Sequence, residues 1–429
     1  MGNAILPAMQ TVGAIKPHTL ILEMPISTKS GLEDSINGGY SNEPARIYAH
    51  EMHHWFDLVG TIWGQHYLDI LFSAYDAVIA ARSEDEAYPA VLRLFDADRE
   101  ILFPSYYKFV TPGAPHGRER QWSNEATVGF RIRPDGTRDE DHPILFVRFT
   151  AGDQIVARQP LSAGSLLELR ALAAEDIALT AHLARLDPDQ RLVEKKLRQQ
   201  ELISHLYHPE MTTYSAAAHL LARVARIGAT APVLLFGAVA ADICLNLQRP
   251  QISGLRHPQP FMELSHRHRH GFRARVDPGY LFACLIYRLR ELEPHDLTPA
   301  RIDDALRLSG LPTLQTIYDD AQRAFSRRPK PTLRSARLAR IRASLHSACG
   351  PILQARSQGS GLIPQERWKD LPSPLTMSSD LELFHHGQHT ISTEDAEWLE
   401  EQRWSLDRSI RQALRAARGF DFKYTDYTY

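Results

Sequence analysis

Two histidines four residues apart, His50 and His54, flank a glutamate in the sequence His-Glu-Met-His-His. On an α-helix this spacing puts both imidazoles on one face, about one turn apart, where they can share a metal ion. Glu51 then lies about 100° around the helix, beside the open side of the metal. There its carboxylate can take a proton from water that zinc has acidified to a pKa of about 7. The spacing therefore predicts a catalytic zinc site with Glu51 as the general base.

The residues around this motif favour a buried helix. Residues 47–49 and 55–56 are mostly apolar, and no proline or glycine interrupts the motif. A solvated surface helix rarely surrounds two histidines with such side chains. His53 is an alternative second ligand, since a three-residue spacing also works. We favour His54, because only that choice leaves Glu51 in the position of the base, and we assign His53 to packing or to support of a ligand.

A catalytic zinc ion needs three protein ligands and one open position. Glu168 is the best candidate for the third ligand, because it begins a predicted helix directly after a series of predicted strands. Glu175 follows two turns later and is placed to support a histidine ligand. Glu175 and Glu201 are also the next choices as ligands, and Asp57 and Asp69 are weaker alternatives.

With these residues the chain resembles the zincin metallopeptidases, and among them the gluzincin type, over about residues 18–176. In that family a helix with the His-Glu-x-x-His signature supplies two histidines and the base, and a glutamate on a later helix completes the site. The resemblance implies that His50, His54 and Glu168 are zinc ligands and that Glu51 is the base. It also implies Zn²⁺ as the cofactor.

A peptidase also needs a hydrogen-bond donor for the oxyanion that develops in the transition state. Tyr214 is the candidate that we select, and His208 and His266 are alternatives. All three lie outside the segment that carries the resemblance.

We expect an α+β fold, with a zincin-like catalytic core made of an active-site helix and a small antiparallel sheet, followed by a mainly helical C-terminal half. The active-site helix is predicted at about 45–60, with a break near Gly60 or Gly64, and a strand at 18–26. Short strands within 101–160 predict an antiparallel meander. Further helices are predicted at about 163–186, 189–205, 214–226, 231–247, 278–292, 299–309 and 393–418.

We divide the chain into three segments. Residues 1–250 form the predicted metallohydrolase domain, residues 251–352 a helical domain, and residues 353–429 a linker and a C-terminal helix. The basic run at 327–342 is interpreted as a solvated face that pairs with the acidic stretch at 394–401. The alternating His-Arg stretch at 266–270 is interpreted as a surface strand.

The bulk composition limits the function classes. Lys+Arg 49 against Asp+Glu 51 gives a net charge of −2, which does not favour nucleic acid or an anionic membrane as a partner. Three widely spaced cysteines predict no disulfide framework, and a reducing compartment fits them best. We see no signal peptide, and the most apolar segment, 231–247, is too short to span a bilayer, so we expect a cytoplasmic protein without a membrane segment.

The sequence thus predicts a zinc-dependent metalloendopeptidase that hydrolyses peptide bonds of an intracellular protein or peptide with metal-activated water. The alternatives are a non-peptidase zinc hydrolase, or a protein- or nucleic-acid-binding module that retains the motif helix. A regulatory protein or a second copy of the chain remains open as a partner.

Overall fold

The fold is mixed α+β, with small sheets and a mainly helical C-terminal half. It is known from a computed structural model, which describes residues 13–37, 42–101, 107–114, 122–133, 135–228, 230–259, 268–292, 297–328, 331–359 and 361–418.

The motif lies on a helix, as predicted. The first helices are α1 (Lys29–Ile36), α2 (Asn42–Gly60), α3 (Ile62–Ala80) and α4 (Tyr88–Ile101). Of the two predicted positions for a break, Gly60 and Gly64, the structure has the break after Gly60, because α3 begins immediately after Thr61, whose side chain accepts a hydrogen bond from the backbone N–H of Gly64. This N-cap bond starts the new helix.

The predicted strands form one antiparallel sheet, in which the last three follow one another as a meander and the first pairs with the last. Its strands have the order β3-β6-β5-β4, and they are β3 (Phe109–Val110), β4 (Ser123–Ile132), β5 (Arg138–Ala151) and β6 (Gln154–Pro160). The strand predicted to begin at residue 101 is wrong at its start, since residue 101 ends α4 and the described strand is only Phe109–Val110.

A second sheet joins the two ends of the chain. Its strands are β1 (Ala14–Lys16), β2 (Ile21–Met24), β8 (Leu375–Ser378) and β9 (Leu383–Phe384) in the order β1-β2-β8-β9, and β2 and β8 are parallel. Two further short strands, β7 (Pro372–Ser373) and β10 (Gln388–His389), form a separate parallel pair. Residues 353–381, which we interpret from the sequence as a linker or an irregular segment, instead supply β7 and β8, so the linker interpretation is wrong there. Trp368 in this segment is buried in the core beside α2, which holds the segment in place.

Helices make up most of the chain after the meander. They are α5 (Ala163–Leu183), α6 (Pro188–Leu206), α7 (Thr212–Ala225), α8 (Ala231–Asn246), α9 (Arg269–Arg275), α10 (Pro278–Tyr287), α11 (Pro299–Ser309), α12 (Leu314–Arg327), α13 (Ala336–Gln358) and α14 (Thr393–Arg418). The predicted helices are all present, whereas α12 and most of α13 were not predicted. The His-Arg strand is wrong for its described part, because residues 269–270 begin α9.

The basic run does pair with the acidic stretch. Arg337 and Arg340 of α13 each lie 2.8 Å from the carboxylate of Asp395 on α14. Other arginines of the same run are less solvated than expected, since Arg342 is buried against Asp69 of α3. The run is therefore partly a solvated face and partly a packing surface.

Two large hydrophobic clusters form the core, and α5 contributes to both. One cluster combines buried residues between 15 and 95 with buried residues between 338 and 414 and with a few side chains of α5 and α8, and the other combines buried residues between 114 and 317 with Leu362. The three predicted segments share these clusters, and the division of the chain at residues 250 and 352 stays a prediction. The cysteines are buried and free. Among the described helices, none has the length and apolarity that a membrane crossing requires.

Candidate metal centre

The structure brings the three predicted ligands together where α2 packs against α5. His50 and His54 lie on α2 and Glu168 lies on α5. The two Nε2 atoms are 3.0 Å apart, and Oε2 of Glu168 lies 3.2 Å from the first and 3.5 Å from the second. Ligand atoms of a tetrahedral zinc ion are separated by about 3.3 Å. These three residues could therefore hold a metal ion with little rearrangement.

One oxygen of the Glu168 carboxylate, which faces the two imidazoles, lacks a hydrogen bond of ordinary geometry. Glu168 is 5 % exposed, and this oxygen is Oε2. Burial by itself raises the pKa of this carboxyl, but the nearby imidazoles of His54 and His50 outweigh burial and lower the pKa to about 2. A buried, ionised and unsatisfied oxygen between two imidazole nitrogens suits a cation, because a buried charge must be neutralised.

The second nitrogen of His50 is held by Glu175. Nδ1 of His50 donates to Oε1 of Glu175 at 2.7 Å, and Arg46 donates to Oε2 of the same carboxylate at 3.2 Å. This arrangement presents the Nε2 lone pair of His50 to the site, as second carboxylates do for metal-binding histidines. Sequence reasoning placed Glu175 as such a support, whereas it missed Arg46, which no motif marks.

Histidine 53 is occupied by the fold. Its Nδ1 donates to the carbonyl of Ala49 at 2.9 Å, and its Nε2 accepts from the backbone N–H of Ile363 at 3.4 Å. Burial lowers the pKa of His53 to about 3, and the bond to Ala49 offsets only part of that effect. Both ring nitrogens thus have partners within the protein, as we expected of a histidine that packs or supports a ligand.

Glu51 lies against the edge strand β1. Its side chain is 2 % exposed, and its Oε2 accepts a hydrogen bond from the backbone N–H of Ile15 at 2.8 Å. Gly13 allows the strand to come this close, since a Cβ atom there would lie 2.6 Å from Cγ2 of Ile47 and 3.3 Å from Cγ of Glu51. The predicted base is therefore positioned by α2 from one side and by β1 from the other.

Tyr214 lies beside the three ligands, on α7. Its ring centre is 6.0 Å from that of His50. The charge of Glu168, then burial, and then the charges of Glu51 and Glu175 raise the pKa of the Tyr214 hydroxyl far above its usual value. Tyr214 therefore stays protonated and can donate a hydrogen bond beside these carboxylates.

Of the alternative donors, His208 has a local role in capping a helix. The Nδ1 atom of His208 accepts a hydrogen bond from the backbone N–H of Glu210 at 3.2 Å, as the cap of a short 3₁₀ helix. His266 lies outside the described residues.

Two of the alternative ligands are engaged elsewhere. Asp69 pairs with Arg342 at 2.7 Å. Glu201 pairs with Arg198 at 2.6 Å and approaches Arg46 at 3.7 Å. Neither belongs to the group that could hold a metal. The interpretation of these carboxylates as ligands is corrected accordingly, because arginines already neutralise them.

Asp57, a further alternative ligand, belongs to a buried network of charges next to the metal centre. It pairs with Arg170 of α5 at 2.9 Å and with Arg356 of α13 at 2.7 Å. Asp242 of α8 pairs with both arginines and accepts a hydrogen bond from the Tyr318 hydroxyl. All four charged side chains are fully buried. Sequence reasoning missed this network, because its members are scattered along the chain.

Comparisons with known proteins gave no match to a model of any protein family, to a curated protein sequence or to a solved structure. The resemblance to zincins therefore rests on two features of the chain. These are the His-Glu-x-x-His spacing on α2 and the convergence of His50, His54 and Glu168.

Proposed function

We propose that this protein is a zinc-dependent metallopeptidase of the gluzincin type. The observation that carries the proposal is the buried convergence of His50, His54 and Glu168, with separations of 3.0–3.5 Å between ligand atoms. Two imidazoles and one carboxylate are a donor set that suits zinc, and three protein ligands leave one position open for water or substrate.

A zinc ion held there would polarise a scissile carbonyl and acidify a water molecule. Glu51 would accept a proton from the attacking water and return it to the departing amine. Tyr214, kept neutral by the surrounding carboxylates, donates a hydrogen bond to the developing oxyanion. Glu175 keeps the imidazole of His50 in the tautomer that binds metal.

The proposed substrate is a protein or peptide in the cytoplasm. Three buried free cysteines fit a reducing compartment. β1 is the edge strand of its sheet among the described strands, and its Ile15 contacts Glu51 directly. An extended peptide added along this edge would therefore run beside the base, which is how strands commonly recruit peptides.

Metal content and proteolysis, measured on the same preparations, test the proposal. We expect about one zinc per chain by elemental analysis in the wild type and in Glu51→Gln, and little in His50→Ala. Cleavage of a mixed protein and peptide pool should fall about 10²–10⁴-fold in Glu51→Gln. Glu43→Gln is the matched control, because Glu43 is an exposed glutamate at the start of the same helix and should leave both quantities unchanged.

The outcomes separate the alternatives. A wild-type protein without stoichiometric zinc would contradict the proposal and leave a binding module as the better interpretation. Stoichiometric zinc with no Glu51-dependent cleavage of any peptide bond would instead indicate a non-peptidase zinc hydrolase.

A further inference from the structure

A cavity of about 610 Å³ lies next to the metal centre, between α5, α6 and the start of α8. Arg46 and Glu175 belong to its wall, so it is on the Nδ1 side of His50, away from the three ligand atoms. Its volume falls within the range of about 300–1,000 Å³ that is typical of small-molecule sites. The cavity is therefore large enough for a ligand of its own.

Leucines form much of the cavity wall, among them Leu172, Leu179, Leu202 and Leu234. Helix α6 covers the cavity without packing tightly, since Leu206 at its last turn is its only buried residue among those described. Apolar side chains that face a void lose the dispersion contacts of a packed core. An apolar ligand would restore those contacts.

The arginines of the wall already have carboxylate partners. Arg46 lies 3.2 Å from Glu175 and 3.7 Å from Glu201. Arg198 lies 2.6 Å from Glu201 and also pairs with Glu194. These guanidinium groups are therefore neutralised locally, and an anionic ligand would have to displace a carboxylate to reach them.

One acidic group of the wall has no such partner. Asp176 is half-buried, and its side-chain carboxylate makes neither a hydrogen bond nor an ion pair with any described residue. Burial, and then the charge of Glu175, raise the pKa of its carboxyl. Lys195 and His205, the basic groups of the wall without an ion pair to a described residue, are exposed, so that water rather than the cavity solvates them. The uncompensated charge inside the cavity is thus negative.

We propose that this cavity binds a small organic cation with an apolar body, whose ammonium group pairs with Asp176 while its hydrocarbon part contacts the leucines. The cation supplies the partner that the carboxylate lacks, and the apolar body fills the volume beneath α6. The site shares no ligand atom with the metal centre, and it stands whether or not that centre is catalytic.

Three probes with the same chain length and different head groups test this proposal: octylammonium, octanol and octanoate. Isothermal titration of the wild-type protein should show saturable binding of octylammonium at one site. Its affinity should exceed that of octanol about tenfold or more, with octanoate weakest, because hydrogen bonds to a charged group are the stronger ones. Asp176→Asn should make octylammonium and octanol bind alike.

Two further variants complete the test. Asp319→Asn, at an exposed aspartate of α12, should leave all three affinities unchanged. Leu179→Trp, which fills the cavity, should abolish binding of both octylammonium and octanol in a protein whose circular dichroism is unchanged. Tighter binding of octanoate, a preference for octylammonium that survives Asp176→Asn, or the absence of saturable binding would each overturn the proposal.

Discussion

Nε of Arg170 on α5 lies 2.9 Å from Oδ1 of Asp57 on α2, and neither side chain is exposed to solvent. Asp57 follows His54 by three residues, and Arg170 follows Glu168 by two. The ion pair thus joins the two helices within a turn of the residues that could hold a metal. It fixes how far one helix can slide along the other, and with it the distance between the histidines and the carboxylate.

Replacing Asp57 by asparagine should destabilise the whole protein. The substitution leaves the buried Arg170 and Arg356 with one fewer negative charge, and breaking a buried pair typically costs about 3–5 kcal/mol. Urea unfolding followed by circular dichroism measures the loss, with the exposed Asp319→Asn as control. An equal free energy of unfolding in the two variants would contradict the structural role given to the pair.

Replacing Glu175 by glutamine should weaken zinc binding about 10–100-fold without unfolding the protein. The amide keeps the shape of the side chain but loses the charge that supports His50. Competition with a zinc chelator measures the affinity. Glu201→Gln is the matched control, because Glu201 also approaches Arg46 but has no bond to His50. Similar losses of zinc affinity in both variants would show that the contact with Arg46, rather than the hydrogen bond to His50, supports zinc binding.

Replacing Gly60 by alanine should lower the free energy of unfolding by about 1–3 kcal/mol through overpacking. A Cβ atom at Gly60 would lie 2.3 Å from Cγ2 of Ile352, where α2 meets α13. Gly254→Ala is the control, because the nearest atom to its Cβ would be 3.5 Å away. Thermal unfolding compares the two; equal stabilities would argue against the close contact between α2 and α13.

The buried His219 should make the fold less stable in acid. Burial lowers its pKa to about 4, although its Nε2 donates to the carbonyl of Leu206 at 2.8 Å. In the unfolded chain the imidazole takes up a proton once the pH falls below about 6.5, whereas in the folded protein it does so only near pH 4. The stability that is present above pH 6.5 is therefore lost as the pH falls from about 6.5 towards 4. The loss attributable to His219 approaches about 1.4 kcal/mol per pH unit.

His219→Phe removes this titration and keeps an aromatic ring beside Trp122, Phe149 and Tyr207. When the free energy of unfolding is measured with urea at a series of pH values between 4 and 6.5, it should therefore change less steeply with pH in this variant than in the wild type. His270→Phe, at an exposed position, should retain the slope of the wild type. A slope unchanged by His219→Phe would show that this residue does not link folding to pH.

The part of the site that was predictable is the part that local geometry controls. His50, Glu51 and His54 lie on one helix, where spacing alone sets their relative directions. Glu175 lies two turns after Glu168, so the placement of one on a helix implied the placement of the other. By contrast, the arginines of the run 327–342 were interpreted as a solvated face, because the partner of the buried Arg342, Asp69, lies far away in the sequence.

The sequence by itself determined which residues share a turn of helix, that the active-site helix breaks near Gly60 or Gly64, and that short strands lie within residues 101–160, because these features depend on neighbours within a few residues. Only the tertiary structure decided that Glu168, among several carboxylates, meets the two histidines. That choice depends on the contact between α2 and α5, and this contact is stabilised by charges that come from separate segments and are paired only when the chain is folded.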